Sequence, residues 1–176
     1  EGCMYAFVFN WTPALASKEM PPPHGVIFAL FMMACMMGAS TSTMLNKYAR
    51  PAVRLMTVSF LGVVLFAVAA CTAGGSSPIP CFVAFMLFEF CVGVYFPSIG
   101  VVKSEVVPEH VRGTMYNVYR VPLNAVVVSL LLTDISMIVC FQLCAGLLSI
   151  SFVANYFIAY SPKTLGGDID SCAKTV

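Results

Sequence analysis

The chain has 176 residues, of which 60% are hydrophobic and 10% charged, with a mean hydropathy of +0.91. A soluble domain carries roughly 25% charged residues, so this composition excludes a water-soluble globule and points to lipid as the solvent. A net charge of +1 offers no footing for nucleic acid or for a strongly acidic partner.

The charges are also bunched. No Asp, Glu, Lys or Arg occurs in 20–46, 55–88 or 135–162. A bilayer core of about 30 Å takes about 20 apolar residues of helix, and each of these runs is longer. An all-α, polytopic membrane protein of six spans is expected, over 2–15, 25–46, 53–74, 80–102, 112–133 and 136–160. The chain opens on Glu1 rather than Met, and the first span begins at once. It reads as a piece whose N-terminal part is missing.

The first span carries Asn10-Trp11-Thr12, a glycosylation sequon by pattern. Its place within a span, with Pro13 next, argues for Asn10 as an interior polar group instead. KEMPPPHG at 18–25 is the first connector. In the second span Ala34, Gly38 and Ser42 repeat every four residues, a small-residue face for close helix contact. FMMACMMG, 31–38, pairs Met32 with Met36 and Met33 with Met37. Thioethers at that spacing could pass Cu(I), but without a Met- or His-rich entry segment they read as flexible packing.

NKYARP at 46–51 and AGGSSPIP at 73–80 are the next connectors. Cys71 and Cys81 flank the latter and could pair on an oxidising side. The other cysteines show neither C-x-x-C nor zinc spacing, and Cys140 with Cys144 reads as apolar packing. The fourth span holds one carboxylate, Glu89, on a stripe with Gly93, Phe96 and Gly100. Pro97 beside it is expected to kink the helix. A charge in the bilayer costs several kcal/mol unless paired or wet, so Glu89 must face an interior.

The fifth span offers a partner. Gly113, Asn117, Arg120 and Asn124 form a stripe, and Arg120 lies eight residues past Arg112, about 12 Å into the helix. Two readings of Glu89 and Arg120 follow: a buried pair that fixes helix register, or a wet cavity on an ion or substrate path. Arg suits an oxyanion, because guanidinium presents fixed donors. The fifth and sixth spans, joined around Thr133-Asp134, form a tight hairpin, and 161–176 is a polar tail. His24 and His110 fall on opposite sides, so no metal site is expected, nor any cofactor. There is no H-E-x-x-H, G-x-S-x-G or phosphate loop, so an enzyme is not expected.

Alternate connectors differ in charge. One side holds Lys47, Arg50, Arg54, Lys103 and Arg112, with Lys163 and Lys174 in the tail; the other holds Lys18. Basic residues favour the cytoplasm, so both ends are expected there.

Three stretches carry a resemblance: EGCMYAFVFNWTP at 1–13, GVYFPS at 93–98 and VYRVPL at 118–123. Together they resemble the molybdate-anion transporters of the major facilitator superfamily, in the order of spans seven to twelve. Glu105-x-x-Pro108-x-x-x-Arg112-Gly113 is similar to a facilitator element between spans ten and eleven. The connector after the second span lacks a clean facilitator loop motif with its Asp, and the tail shows no likeness. The resemblance implies a six-helix half, 1–160, of an alternating-access transporter in the plasma membrane. It implies molybdate or a related oxyanion as substrate and a six-helix N-terminal half as partner. On helix faces and charge, Arg120, Asn117, Asn124, Tyr5 and Asn10 are expected to donate to the oxyanion. Glu89 would orient Arg120 or carry a coupling proton, and Glu105 and Arg112 would serve a cytoplasmic gate. Another small anion, or a non-transporting receptor or scaffold, is the alternative.

Overall fold

The computed structural model describes residues 1–16, 23–73, 75, 77–133 and 135–160. Lys18, Asp134, Cys172 and the 161–176 tail lie outside them. The described residues form six α-helices: α1 (Gly2–Ala14), α2 (His24–Leu45), α3 (Pro51–Thr72), α4 (Ile79–Val106), α5 (Arg112–Leu132) and α6 (Met137–Ala159). A 3-10 turn, Glu109–Val111, leads into α5.

Prolines punctuate the starts. Pro23 caps α2, Pro51 opens α3, and Pro78 precedes α4. Proline fits there because the first amides of a helix have no intrahelical acceptor to lose. Two prolines also lie inside helices: α4 runs on through Pro97 and α5 through Pro122.

Four helices, α2, α3, α4 and α6, are long and apolar enough to cross a membrane. The chain is thus an all-α, multi-pass membrane protein. The two other expected spans differ in kind. α1 has 13 residues, about 20 Å of helix and shorter than a bilayer core. α5 has the length, but Arg112, Asn117, Arg120 and Asn124 dilute its apolar character. α4 outruns its expected end, 102, by four residues, and so takes Lys103 and Glu105 into its last turns.

Helix α4 is central. It packs on α2 and α3, α3 packs in turn on α6, and α1 lies against α6, α5 and α4. The α2–α4 crossing is backbone on backbone. A Cβ on Gly38 would strike the carbonyl oxygen of Phe90, and one on Gly93 the carbonyl oxygen of Cys35. Ala34, Gly38 and Ser42 are all buried in that seam, as their four-residue repeat predicts.

Away from this crossing the core is aromatic. Phe7 meets Phe31 and Phe85 edge-on, with centroids 5.4 and 5.1 Å away, and Phe66 meets Phe88 at 4.7 Å. Edge-to-face pairs of this kind add stabilisation beyond area burial. That matters in lipid, where apolar burial between helices is only weakly favourable. Cys71 and Cys81 are free thiols, so the expected cross-connector pairing does not form.

Candidate functional site

One face from each of four helices lines a cavity of about 980 Å³. α1 gives Met4, Tyr5 and Val8, with Glu1 just before its start; α2 gives Met32 and Cys35. α4 gives Glu89, Val92, Tyr95, Phe96 and Lys103, and α5 gives Tyr116, Tyr119, Arg120, Leu123 and Asn124. On α1, α4 and α5 the spacing is helical, mostly in steps of three and four, as a wall of packed helices requires.

Of the expected site residues, Glu89, Arg120, Asn124 and Tyr5 share this cavity. Glu89 is buried, 6% exposed, and lines the cavity together with Met32 and Cys35 of α2. No ion pair joins Glu89 to Arg120 among the described residues, so the register-fixing pair is not formed here. Lys103 lies 14 residues beyond Glu89 on α4, about 21 Å along the axis. Arg120 belongs to the Lys103 end, where its charge bears on the Glu1 carboxylate.

That end carries an ion pair. Lys103 Nζ donates to Glu1 Oε1 at 2.8 Å and lies 5.4 Å from the centroid of the Tyr116 ring. Burial pushes the Glu1 carboxyl up, but the surrounding positive charge, with the Lys103 ammonium foremost, outweighs it and holds the group below the usual carboxylate range.

Two expected donors stand elsewhere. Asn10 donates through Nδ2 to the Ala6 carbonyl at 2.8 Å and to Cys140 Sγ at 3.4 Å, which turns it toward α6. Asn117 is exposed and does not line the cavity. The α5 wall is therefore rotated from the expected stripe: Tyr116 and Leu123 flank Arg120 where Gly113 and Asn117 were expected.

The family model described as sugar transporters with twelve membrane spans matches residues 1–94. Over 129 residues the chain is 34% identical to the molybdate-anion transporter of Xenopus tropicalis, covering 70% of this chain and 28% of that protein. The chain belongs to the molybdate-anion transporter family of the major facilitator superfamily. The molybdate-anion transporters of Xenopus laevis and Takifugu rubripes are 33% and 29% identical over the same length, covering 28% and 26% of those proteins. The matched region is thus only about a quarter of these curated relatives. No solved structure gives a significant match.

Within the family-matched stretch lie Tyr5, Met32, Cys35 and Glu89; Lys103, Arg120 and Asn124 follow it. The facilitator-like element after α4 has a definite geometry. Glu105 is exposed in the last turn of α4, and Pro108 caps the 3-10 turn. Arg112 Nη2 reaches back to the carbonyls of Ser104, 3.2 Å, and Val107, 3.4 Å. It so satisfies the C-terminal end of α4, where a cation is favoured by the helix dipole. Gly113, at the start of α5, is exposed.

Sequence reasoning missed two polar features. Lys103 reads as a cytoplasmic surface charge, yet it lines the cavity; its seven-residue step from Phe96 was the available signal. Arg54 reads the same way, yet it is 4% exposed. Its Nη1 donates to the Ser42 carbonyl at 2.6 Å and the Ser42 hydroxyl at 3.1 Å. Ser42 and Ser98, both fully buried, sit 3.4 Å apart. This cluster ties α2, α3 and α4 together.

Proposed function

We propose that the chain is the C-terminal six-helix half, residues 1–160, of a secondary transporter that moves molybdate or a related oxyanion by alternating access. The observation that carries this reading is the cavity that gathers Arg120, Asn124 and Tyr5 with the buried Glu89. A guanidinium with amide and phenol donors suits a tetrahedral oxyanion. The names of the relatives support the same substrate. A second six-helix half would close the cavity from the open side, with the substrate between halves. Glu89 would orient a donor or carry a coupling proton, and Asn117 and Asn10 would contribute only in another state of the cycle.

The seam of Glu105, Pro108, Arg112 and Gly113 would serve the cytoplasmic gate, with Arg112 releasing or gripping the end of α4. Both ends would face the cytoplasm, in the plasma membrane. The family model's description favours sugars as a second reading. The two cations on the cavity wall favour an anion over a neutral sugar.

The test is uptake of labelled molybdate by cells expressing the full-length protein, wild type beside Arg120→Gln at matched surface expression. Uptake by wild type and its loss in the variant support the reading. Full activity in Arg120→Gln removes Arg120 from the site. No uptake by wild type removes molybdate, and competition by sulfate, organic acids and sugars then separates the other substrates from a non-transporting receptor.

A further inference from the structure

The cationic end of the cavity is unevenly charged. Lys103 and Arg120 both line it, and one carboxylate, Glu1, serves them. The cavity's other acid, Glu89, is about 21 Å from Lys103 along α4. Glu105 is two residues from Lys103 and so points to the other side of the helix. Counted over side chains, this end therefore holds one positive charge in excess.

The Glu1–Lys103 contact is also easily broken. The two side chains are 33% and 36% exposed, and ion pairs this open are only weakly held. Lys103 has a second support, the face of Tyr116, which holds an ammonium without neutralising it.

We propose that Glu1 is a resident counter-ion of the oxyanion site, which holds Lys103 while the site is empty and yields it to a doubly charged oxyanion. The inference rests on the oxyanion-transport reading above. Two cations balance a dianion, whereas a carboxylate left between them would repel it. On entry Glu1 swings off, Lys103 stays over Tyr116, and the ammonium and the Arg120 guanidinium grip the anion from two sides. Lys103 is thereby a second substrate ligand and Glu1 a competitor built into the chain.

The experiment is a binding titration of molybdate to the purified full-length protein, with wild type, Glu1→Gln, Lys103→Gln, Lys103→Arg and the Glu1→Gln/Lys103→Gln double variant. Removing the internal competitor should tighten binding about two- to fivefold. Lys103→Gln should weaken it at least about tenfold, as loss of a charge-assisted contact does, and Lys103→Arg should retain most of it. In the Lys103→Gln background, Glu1→Gln should gain less than it does alone. If wild type binds molybdate but Glu1→Gln leaves binding unchanged or weakens it, the counter-ion role is overturned and the transport reading stands. If Lys103→Gln binds like wild type, Lys103 is not a ligand. If wild type binds no molybdate, both the inference and the reading beneath it fall.

Discussion

Substituting Gly38 by Ala should destabilise the protein, although alanine is the better helix former. The gain from replacing a helical glycine is about 0.5–1 kcal/mol, through lost chain entropy in the unfolded state. Against it stands the α2–α4 crossing. The new Cβ would collide with the Phe90 carbonyl oxygen, and would lie 3.0 Å from that carbonyl carbon and 3.1 Å from Gly93 Cα. These are backbone atoms, so no rotamer change can make room and the helices must part. Overpacking costs typically 1–3 kcal/mol, and a rigid backbone places this site at the upper end. The net loss is about 2 kcal/mol. Gly146 of α6 is the matched control, because nothing lies within 4 Å of a Cβ there, and Gly146→Ala should gain the 0.5–1 kcal/mol outright. The assay is equilibrium unfolding of the purified protein in mixed micelles of increasing SDS. The two variants should lie on opposite sides of wild type, about 3 kcal/mol apart. If Gly38→Ala proves as stable as Gly146→Ala, the close crossing is wrong. The wall that Cys35 and Glu89 share would then need to be redrawn.

Other expectations follow from the same geometry. Ser42→Ala should cost about 1 kcal/mol, because Arg54 then keeps only the Ser42 carbonyl. Ser98→Ala should cost a similar amount, since Ser98 Oγ donates to the Val94 carbonyl at 2.8 Å and is thereby the acceptor for the buried Ser42 hydroxyl. The double variant, measured by the same unfolding assay, should lose less than the sum of the two. Cys35 lies on the cavity wall, so an anionic thiosulfonate should label it, and molybdate should slow that labelling. Cys71, exposed beside the α3–α4 connector, should react with an impermeant maleimide on intact cells if both ends are cytoplasmic; protection would reverse the orientation. Finally, the Glu1 carboxyl is held below its ordinary range by Lys103. Its contribution is therefore present above the unfolded-state value and is lost as pH falls through the lower folded-state value. A melting comparison of wild type and Glu1→Gln should show their difference shrinking on acidification and flat near neutrality.

The helix bounds were legible because charge-free runs of spanning length have few other uses. Expected and observed ends agree within a few residues everywhere except at the end of α4. There the long Lys103 side chain lets the helix continue, since its ammonium can reach a polar cavity while its stem stays on the apolar wall. The small-residue face of α2 was legible for a related reason: the four-residue repeat specifies a face without needing its partner. The site was less so. Polarity singles out Asn117 on α5, but a wall is chosen by how the whole helix is turned, and tertiary packing turned it to present Tyr116 and Leu123 beside Arg120. No pattern within one helix reports its rotation or height against another, and for that reason the Glu89–Arg120 pairing was plausible in one dimension and absent in three. Arg54 shows the converse: a basic residue in the first turn of a helix is counted as cytoplasmic surface, and only the neighbouring helices reveal that it is enclosed.

Helix α5 is hung differently from the rest of the bundle. It leans on α1 and on the turn before it, and Arg112 hooks its first residue onto the end of α4. Most of its described side chains face outward, while α2 packs on α4, α4 on α3 and α3 on α6. A panel fixed along one edge and latched at one corner swings before the frame does. Because that panel bears Arg120, the guanidinium proposed to meet the oxyanion would travel with the door rather than with the wall. Amide exchange should then be fastest in α5 and slowest in α4, with the two rates drawn together when the cavity is filled.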